Sequence, residues 1–415
     1  MLARVAGAYR AAFSGLPRRV WILALAALVN RSGTMVLPFL SLYLTTQLSF
    51  TVLEAGRVLS LYGLGAIAGS WLGGALSDRV APHRVQIASL VGTGAGFVAL
   101  SRVHSRPAIS LAVLALAVVQ ECFRPAMFTA ATRGSDPAIR TRSLALVRMA
   151  VNVGMTVGPA LGGFLAVRRY SLLFVADAAT CWLAAGVLAV ALGPDRDALR
   201  APPPGRAAAA LSPWRDRPFV AFLAAMVALG TVFFQIQSTM PLYFREHYRL
   251  AEDGIGLLLA INTVVVVAAE MVLLRAIERR DQLRVAGLGA ALVGAGFALL
   301  PLGSTWPFAA LTVLVWTCGE MLSVPLSNGV ASRRAPAASS GRYMGAYSLA
   351  FAVAFVLAPA LGTAVYQRVG PAALWGGVGA VGVALSLACL GLSRWVRLRP
   401  AGAAEPSAAD PASAE

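Results

Sequence analysis

The chain has 415 residues, of which 58% are hydrophobic and only 13% charged, with a mean hydropathy of +0.72. A water-soluble domain of that size cannot bury so much apolar side chain, so the solvent must be lipid. The formal net charge of +17 comes from 35 arginines and no lysine, but its distribution along the chain argues against a nucleic-acid partner.

Residues 1–19 form a basic segment with Arg4, Arg10, Arg18 and Arg19, expected to lie on the membrane surface. The apolar run that follows, 20–44, is too long for the core of a cleaved leader and is interrupted by Arg31, so it is the first of the spans. Stretches long enough to cross a bilayer recur at 53–76, 85–103, 108–131, 143–167 and 170–192. Residues 193–217, charged and carrying three consecutive prolines, are a linker. Six more spans follow at 218–244, 254–277, 284–303, 307–330, 341–366 and 371–395, and 399–415 is a tail of Ala, Pro, Ser and acidic residues expected to be disordered. The chain therefore reads as twelve transmembrane helices, six in each of the halves 20–192 and 218–398. With the N-terminus inside, and arginines in the last three residues at a span end counted with the adjoining loop, 24 arginines fall in cytoplasmic tails and loops, 7 in outer loops and 4 within spans. That asymmetry places both termini in the cytoplasm.

The halves are copies. Shifting the chain by 200 residues without gaps pairs Gly94-Ala-Gly-Phe97 with Gly294-Ala-Gly-Phe297, Leu42-Tyr43 with Leu242-Tyr243, Pro125 with Pro325 and Arg142 with Arg342. Asp78-Arg79 pairs with Glu278-Arg279, and 11 of 47 positions are identical between 119–165 and 319–365. A duplicated set of membrane spans points to a transporter. The repeat is unequal: Pro159 and Pro359 are both kept, but Gly154, Gly158 and Gly163 have become Ala354, Ala358 and Thr363. Gly65, Gly69 and Gly73 lie on one face of span 2 and should make a close helix contact. Gly377-Val-Gly-Ala-Val-Gly382 fits a dinucleotide-binding pattern, yet it lies inside the last span and reads better as helix packing. Without lysine there is no phosphate-binding Gly-Lys loop, so an ATP-driven pump in one chain is excluded. Cys122, Cys181, Cys318 and Cys389 are each within a span and read as packing residues; no metal or cofactor is expected.

The loop Gly74-Ala-Leu-Ser-Asp-Arg-Val-Ala-Pro-His-Arg84 between spans 2 and 3 resembles the general signature of the major facilitator superfamily, with Gly74, Asp78, Arg79 and Arg84 matching. Ala81 and Pro82 depart from it, which leaves the turn open. The resemblance implies an all-α integral membrane fold of two pseudo-symmetric six-helix bundles, with spans 1, 4, 7 and 10 around a central cavity. Gly154-x3-Gly158-Pro159-x2-Gly162-Gly163 on span 5 resembles the motif that this superfamily associates with antiporters, drug/proton exporters above all. A face without side chains, bent by a proline, lets span 5 press on a neighbour, and close packing with no bearing on direction would use the same residues. By the family's pattern Asp78 would latch onto Arg342 at the start of span 11, and by the repeat Glu278 onto Arg140 or Arg142; a solvated loop is the plainer reading.

Ionisable side chains at membrane depth are costly, so they line a cavity or are paired. Arg31 lies in span 1, Glu121 and Arg124 in span 4, Glu320 in span 10 and Glu270 in the cytoplasmic third of span 8. Glu121, Glu320 and Glu270 are the candidates for proton coupling, with a static ion pair such as Glu121–Arg124 as the alternative. Arg31, Arg124, Arg148, Asn152, Gln235 and Gln237 are candidates for the substrate cavity, and Asp177 on span 6 reads as a structural hydrogen-bonding partner. Phe39, Tyr43, Phe233, Phe234, Trp316 and Phe351 are candidate aromatic walls. The expected function is proton-coupled export of small amphipathic molecules by alternating access, from a bacterial inner membrane and as a monomer. Its partners are a small-molecule substrate, protons and lipid, with no nucleic acid. A proton-coupled importer of a small organic solute and a non-transporting membrane sensor are the alternatives. No metal cluster or buried Ser/His/Asp set suggests an enzyme, because His83, His104 and His247 are expected in loops.

Overall fold

The computed structural model describes residues 14–132, 137–192, 212–277, 280–336 and 339–398. Glu278, most of the linker and the C-terminal tail lie outside these, as does the side chain of Arg140. The described residues are helices and short connections, with no strand. Span 1 is α1 (Arg18–Ser32) and α2 (Val36–Thr46); span 2 is α3 (Val52–Arg79); span 3 is α4 (Pro82–Leu100); span 4 is α5 (Arg106–Glu121) and α6 (Phe123–Thr132). Spans 5 and 6 are α7 (Pro137–Arg168) and α8 (Tyr170–Ala191). The second half holds α9 (Arg217–Phe233) and α10 (Thr239–Glu246) as span 7, α11 (Glu252–Ile277), α12 (Gln282–Ala298), α13 (Trp306–Arg334), α14 (Ser340–Arg368) and α15 (Pro371–Leu398). Eleven of the twelve spans are long and apolar enough to cross a membrane. The remaining one, α4, is a 19-residue helix that opens with Pro-His-Arg and packs on α8 and α5. It starts three residues earlier than expected, so His83 belongs to its first turn and is buried rather than in a loop.

Three spans expected to be continuous are broken, and in each a proline follows the break. Pro38, Pro125 and Pro241 have no N–H to offer the carbonyl four residues back, so the ladder lapses near Thr34, Glu121 and Gln237. In lipid the freed backbone groups need partners from within the protein. At span 1, Asp177 supplies them: its carboxylate accepts from the Met35 N–H at 3.1 Å and the Val36 N–H at 3.0 Å. Asp177 is 1% exposed and caps the start of α2, as its structural reading expected. Gly33 permits this approach, since a Cβ there would strike Thr180, one turn after Asp177.

At span 7 the break is a short 3-10 turn, Phe234–Gln237, bridged by Gln235. Its Nε2 donates to the carbonyls of Thr231 (3.1 Å) and Ala358 (3.0 Å), and its Oε1 accepts from the Thr239 hydroxyl at 2.6 Å. Gln235 thereby ties span 7 to α14.

Small residues set the helix contacts elsewhere. A Cβ on Gly65 would lie 2.5 Å from the Leu114 carbonyl oxygen, and one on Gly73 2.5 Å from the Cys122 Cα, so the span 2 glycines seat α3 against span 4. Gly382 meets Gly294 and Gly379 meets Ala298 of α12 in the same way, which accounts for two of the three glycines of the false dinucleotide pattern; Gly377 has open space. At the end carrying the chain's described termini, Arg334 forks onto Asp216 with two bonds of 2.8 Å, and Tyr343 donates to Asp216, joining spans 7, 10 and 11.

Asp177→Ala leaves two buried N–H groups without an acceptor and is expected to destabilise the protein by about 1–3 kcal/mol per lost partner. Asp177→Asn, which keeps one carbonyl oxygen, is expected to lose less. Thermal unfolding of the detergent-solubilised variants measures both.

Candidate functional site

The candidate residues lie where the two halves face each other, and the halves meet through a pair of close backbone contacts at the end of the bundle opposite the termini. There α7 packs along α11 and α3 along α14. A Cβ on Gly256 would lie 2.5 Å from the Pro159 carbonyl oxygen, and a Cβ on Gly56 would lie 2.8 Å from the Pro359 carbonyl oxygen. Under the 200-residue repeat these are the same contact made twice. Gly163 lies against the Glu252 backbone, whereas its counterpart Thr363 lies against Gly56 and donates to the Pro359 carbonyl at 2.7 Å. Side chains complete the seal. The Tyr170 hydroxyl donates to Glu252 at 2.8 Å, Arg245 lies 3.6 Å from the same carboxylate, and the Leu53 N–H donates to Gln367 at 2.7 Å.

The span 5 motif therefore serves two neighbours where the sequence suggested one. Gly163 faces α11, but Gly154, Gly158 and Gly162 face span 1: their Cβ positions would fall 2.8 Å from the Leu28 carbonyl, 3.0 Å from the Thr34 carbonyl and 3.0 Å from the Met35 Cβ. Pro159 is buried between them.

At the other end the expected latch pair is not formed. Asp78, Arg79, Arg84 and Arg342 are exposed, no ion pair joins Asp78 to Arg342 among the described residues, and Gly74 has open space where a Cβ would stand. Glu278 lies outside the described residues.

Between the two ends sit the charged candidates. In the first half Arg31 is half-buried, with its Nε lacking a hydrogen-bond partner, and its stem fills the room that Gly154 leaves. Tyr62 lies within electrostatic reach of both Arg31 and Glu121. Glu121, half-buried, and Arg124, exposed, form no ion pair among the described residues, so the static pairing weighed from the sequence is not made. In the second half Glu320 accepts from the Asn262 side-chain N–H at 2.7 Å, and Asn262 also donates to the Thr317 hydroxyl at 3.0 Å. Glu270 is within electrostatic reach of Glu320, and Arg148 of Glu270, so spans 5, 8 and 10 present charge to one another across the halves. Asn152 is half-buried one turn from Arg148.

The two glutamines part ways. Gln237 is half-buried and its Oε1 has no partner. Gln235 is 2% exposed with its amide engaged within spans 7 and 11, so it belongs to the scaffold and not to the cavity lining proposed for it. Phe234 meets Phe355 at 4.9 Å and Phe351 at 6.5 Å, Phe233 meets Trp316 at 6.3 Å, and Tyr62 meets Phe355 at 5.9 Å. Phe39, fully buried, and Tyr43, against Phe174 at 5.0 Å, pack inside the first half instead. Asn262, Thr317, Tyr62 and Phe355 escaped the sequence reading. Asn262 was visible as a polar residue two turns before Glu270 on one helix face, and Thr317 as a hydroxyl three residues before Glu320.

Residues 20–359 match the sequence profile of the Major Facilitator Superfamily. The chain belongs to that superfamily. It is 25% identical to the Bacillus subtilis MFS-type transporter YqjV over 79% of this chain and 81% of that one. It is 23% identical to a Na(+), Li(+), K(+)/H(+) antiporter of Planococcus maritimus, over 80% and 85%. Against the class C tetracycline resistance protein of Escherichia coli the identity is 25%, over 81% and 85%. A peptide transporter solved in complex with alafosfalin superposes with a TM-score of 0.79 at 18% identity, over 94% and 97%, a likeness of fold. The protein is a multi-pass membrane transporter of this secondary-transporter superfamily.

Tyr170→Phe removes the hydroxyl bond to Glu252, and Gly256→Val forces α11 off the Pro159 carbonyl. Hydrogen exchange is expected to rise at 163–170 and 250–256 in both variants, more in Gly256→Val, with α12 and α15 unchanged.

Proposed function

We propose that the protein exports small, amphipathic, preferably cationic molecules in exchange for protons, by alternating access between its halves. The observation that carries this is Glu320: a carboxylate at membrane depth, held by a neutral amide and with no cation paired to it among the described residues. Such a group can be neutralised by a proton or by a cationic substrate, and the two compete. Glu121 in the first half, also without an ion-pair partner among the described residues, is the second coupling carboxylate, and Glu270 the third. The aromatic cluster around the span 7 break, Phe233, Phe234, Phe351 and Phe355, supplies flat apolar contacts for a ring-bearing substrate. Arg31, Arg124, Arg148, Asn152 and Gln237 offer polar contacts beside it.

The arginine distribution supports placing both termini in the cytoplasm of a bacterial inner membrane. On that placement the glycine–proline contacts form the outer gate, and the conformation faces inward. Asp78 would then meet Arg342 when the inner end closes, with Glu278 as its counterpart at Arg140 or Arg142. The relatives named for cation/proton antiport and for tetracycline resistance support exchange and efflux. We take the working unit to be a monomer.

Purified protein in liposomes under an imposed pH gradient tests this. Cationic amphipathic dyes are expected to move against the proton flux, and Glu320→Gln is expected to cut gradient-driven movement to background while leaving dye binding detectable. Movement of substrate with the protons would make the protein an importer, binding without movement would make it a sensor, and undiminished exchange in both Glu320→Gln and Glu121→Gln would remove the coupling assignment.

A further inference from the structure

We infer that Asn262 is a positioning residue for proton exchange: it occupies one oxygen of Glu320 and leaves the other as the oxygen that trades proton for substrate. The inference rests on Glu320 being a coupling carboxylate, as proposed above.

The orientation of the Asn262 amide follows from the bonds around it. Thr317 donates its only hydroxyl proton to the Val313 carbonyl at 2.6 Å, the usual bond of a helical threonine to the preceding turn. Its oxygen can then serve Asn262 only as an acceptor, so the atom at 3.0 Å from it must be the amide nitrogen. That same nitrogen carries a second proton, directed at Glu320 Oε2 at 2.7 Å. The chain from the Val313 carbonyl through Thr317 and Asn262 to Glu320 therefore runs in one direction.

Two consequences follow. Oε2 accepts a hydrogen bond whether Glu320 is charged or neutral, because a proton on Oε1 leaves the Oε2 lone pairs in place. Oε1 receives no hydrogen bond from any described residue and is where the proton arrives and where a substrate cation would sit. The charged group within reach is Glu270, on the same helix as Asn262, with Arg148 of α7 beyond it. On its other side α13 packs on α12 through Gly289 and Val293 against Gly319, which bring no charge. Among the described residues Asn262 is thus the one hydrogen-bond donor to the Glu320 side chain, and it favours the ionised form.

The test is the pH profile of proton-driven dye flux in liposomes for the wild type, Asn262→Leu, Thr317→Val, Thr317→Ser and Glu320→Gln. Losing the donor is expected to move the Asn262→Leu profile to higher pH by about one unit, the scale of a hydrogen bond to a charged group. Thr317→Val, which removes the acceptor that orients Asn262 without touching Glu320, is expected to move it the same way by less. Thr317→Ser restores the hydroxyl and is expected to keep the wild-type profile. A lower maximal flux with an unmoved profile in Asn262→Leu and Thr317→Val would make the chain a packing contact and overturn the inference. If Asn262→Leu fails to assemble, the Thr317→Val and Thr317→Ser pair decides alone. Loss of flux in Glu320→Gln with unmoved profiles elsewhere defeats only the role of Asn262; full flux in Glu320→Gln defeats the coupling assignment beneath it.

Discussion

Two carbonyls resting on two glycines hold the halves of this protein together. Pro159 against Gly256 is a backbone-to-backbone contact, and Pro359 against Gly56 is its counterpart with the short Thr363 side chain packed beside it. In lipid, helices gain little from hydrophobic association, so close backbone approach and its dispersion energy carry the interface. Such a contact is best at one separation and forfeits roughly a quarter to a half of its attraction when the surfaces part by about 0.5–1 Å. It behaves as a closure that is either made or broken, which suits a gate better than an interface of long, adaptable side chains. The proline at each contact has also given up a backbone hydrogen bond, so each gate helix can bend where it must part.

The same economy explains which polar groups are structural and which are left for function. A broken helix exposes backbone groups that lipid cannot satisfy, and at two of the three breaks the protein supplies a dedicated buried partner: Asp177 for span 1, Gln235 for span 7. These partners have their hydrogen bonds filled and are nearly inaccessible. Arg31, Glu121, Gln237 and Glu320 differ. They are half-buried, each has bonding capacity unused, and they lie on spans 1, 4, 7 and 10. That contrast separates scaffold from site at membrane depth, where burial alone would not.

Much of this was written in the sequence. Apolar length placed the spans, and the 200-residue offset paired the halves, because both depend on composition and order alone. The role of Asp177 was legible because span 6 lies away from the cavity. Gln235 was misplaced because facing cannot be read where a helix breaks: the 3-10 turn at Phe234–Gln237 rotates the side chains out of the 3.6-residue register. The breaks themselves follow from Pro38, Pro125 and Pro241, which mark where a ladder bond is lost but not how far the turn departs. Asn262 was overlooked for a different reason. A single amide in a long apolar run gives no hint of its partner, which is supplied by another helix 55 and 58 residues away.

Distances between spin labels measured at both ends of the same molecule test the central claim most directly. One pair would sit at Arg169 and Arg249, beside the glycine–proline closures, and the other at Arg84 and Arg284, at the opposite end. If those closures form a two-state gate, lowering the pH or adding a transported cation should lengthen the first distance and shorten the second in the same fraction of molecules. Two ends that stay fixed, or that widen together, would contradict it.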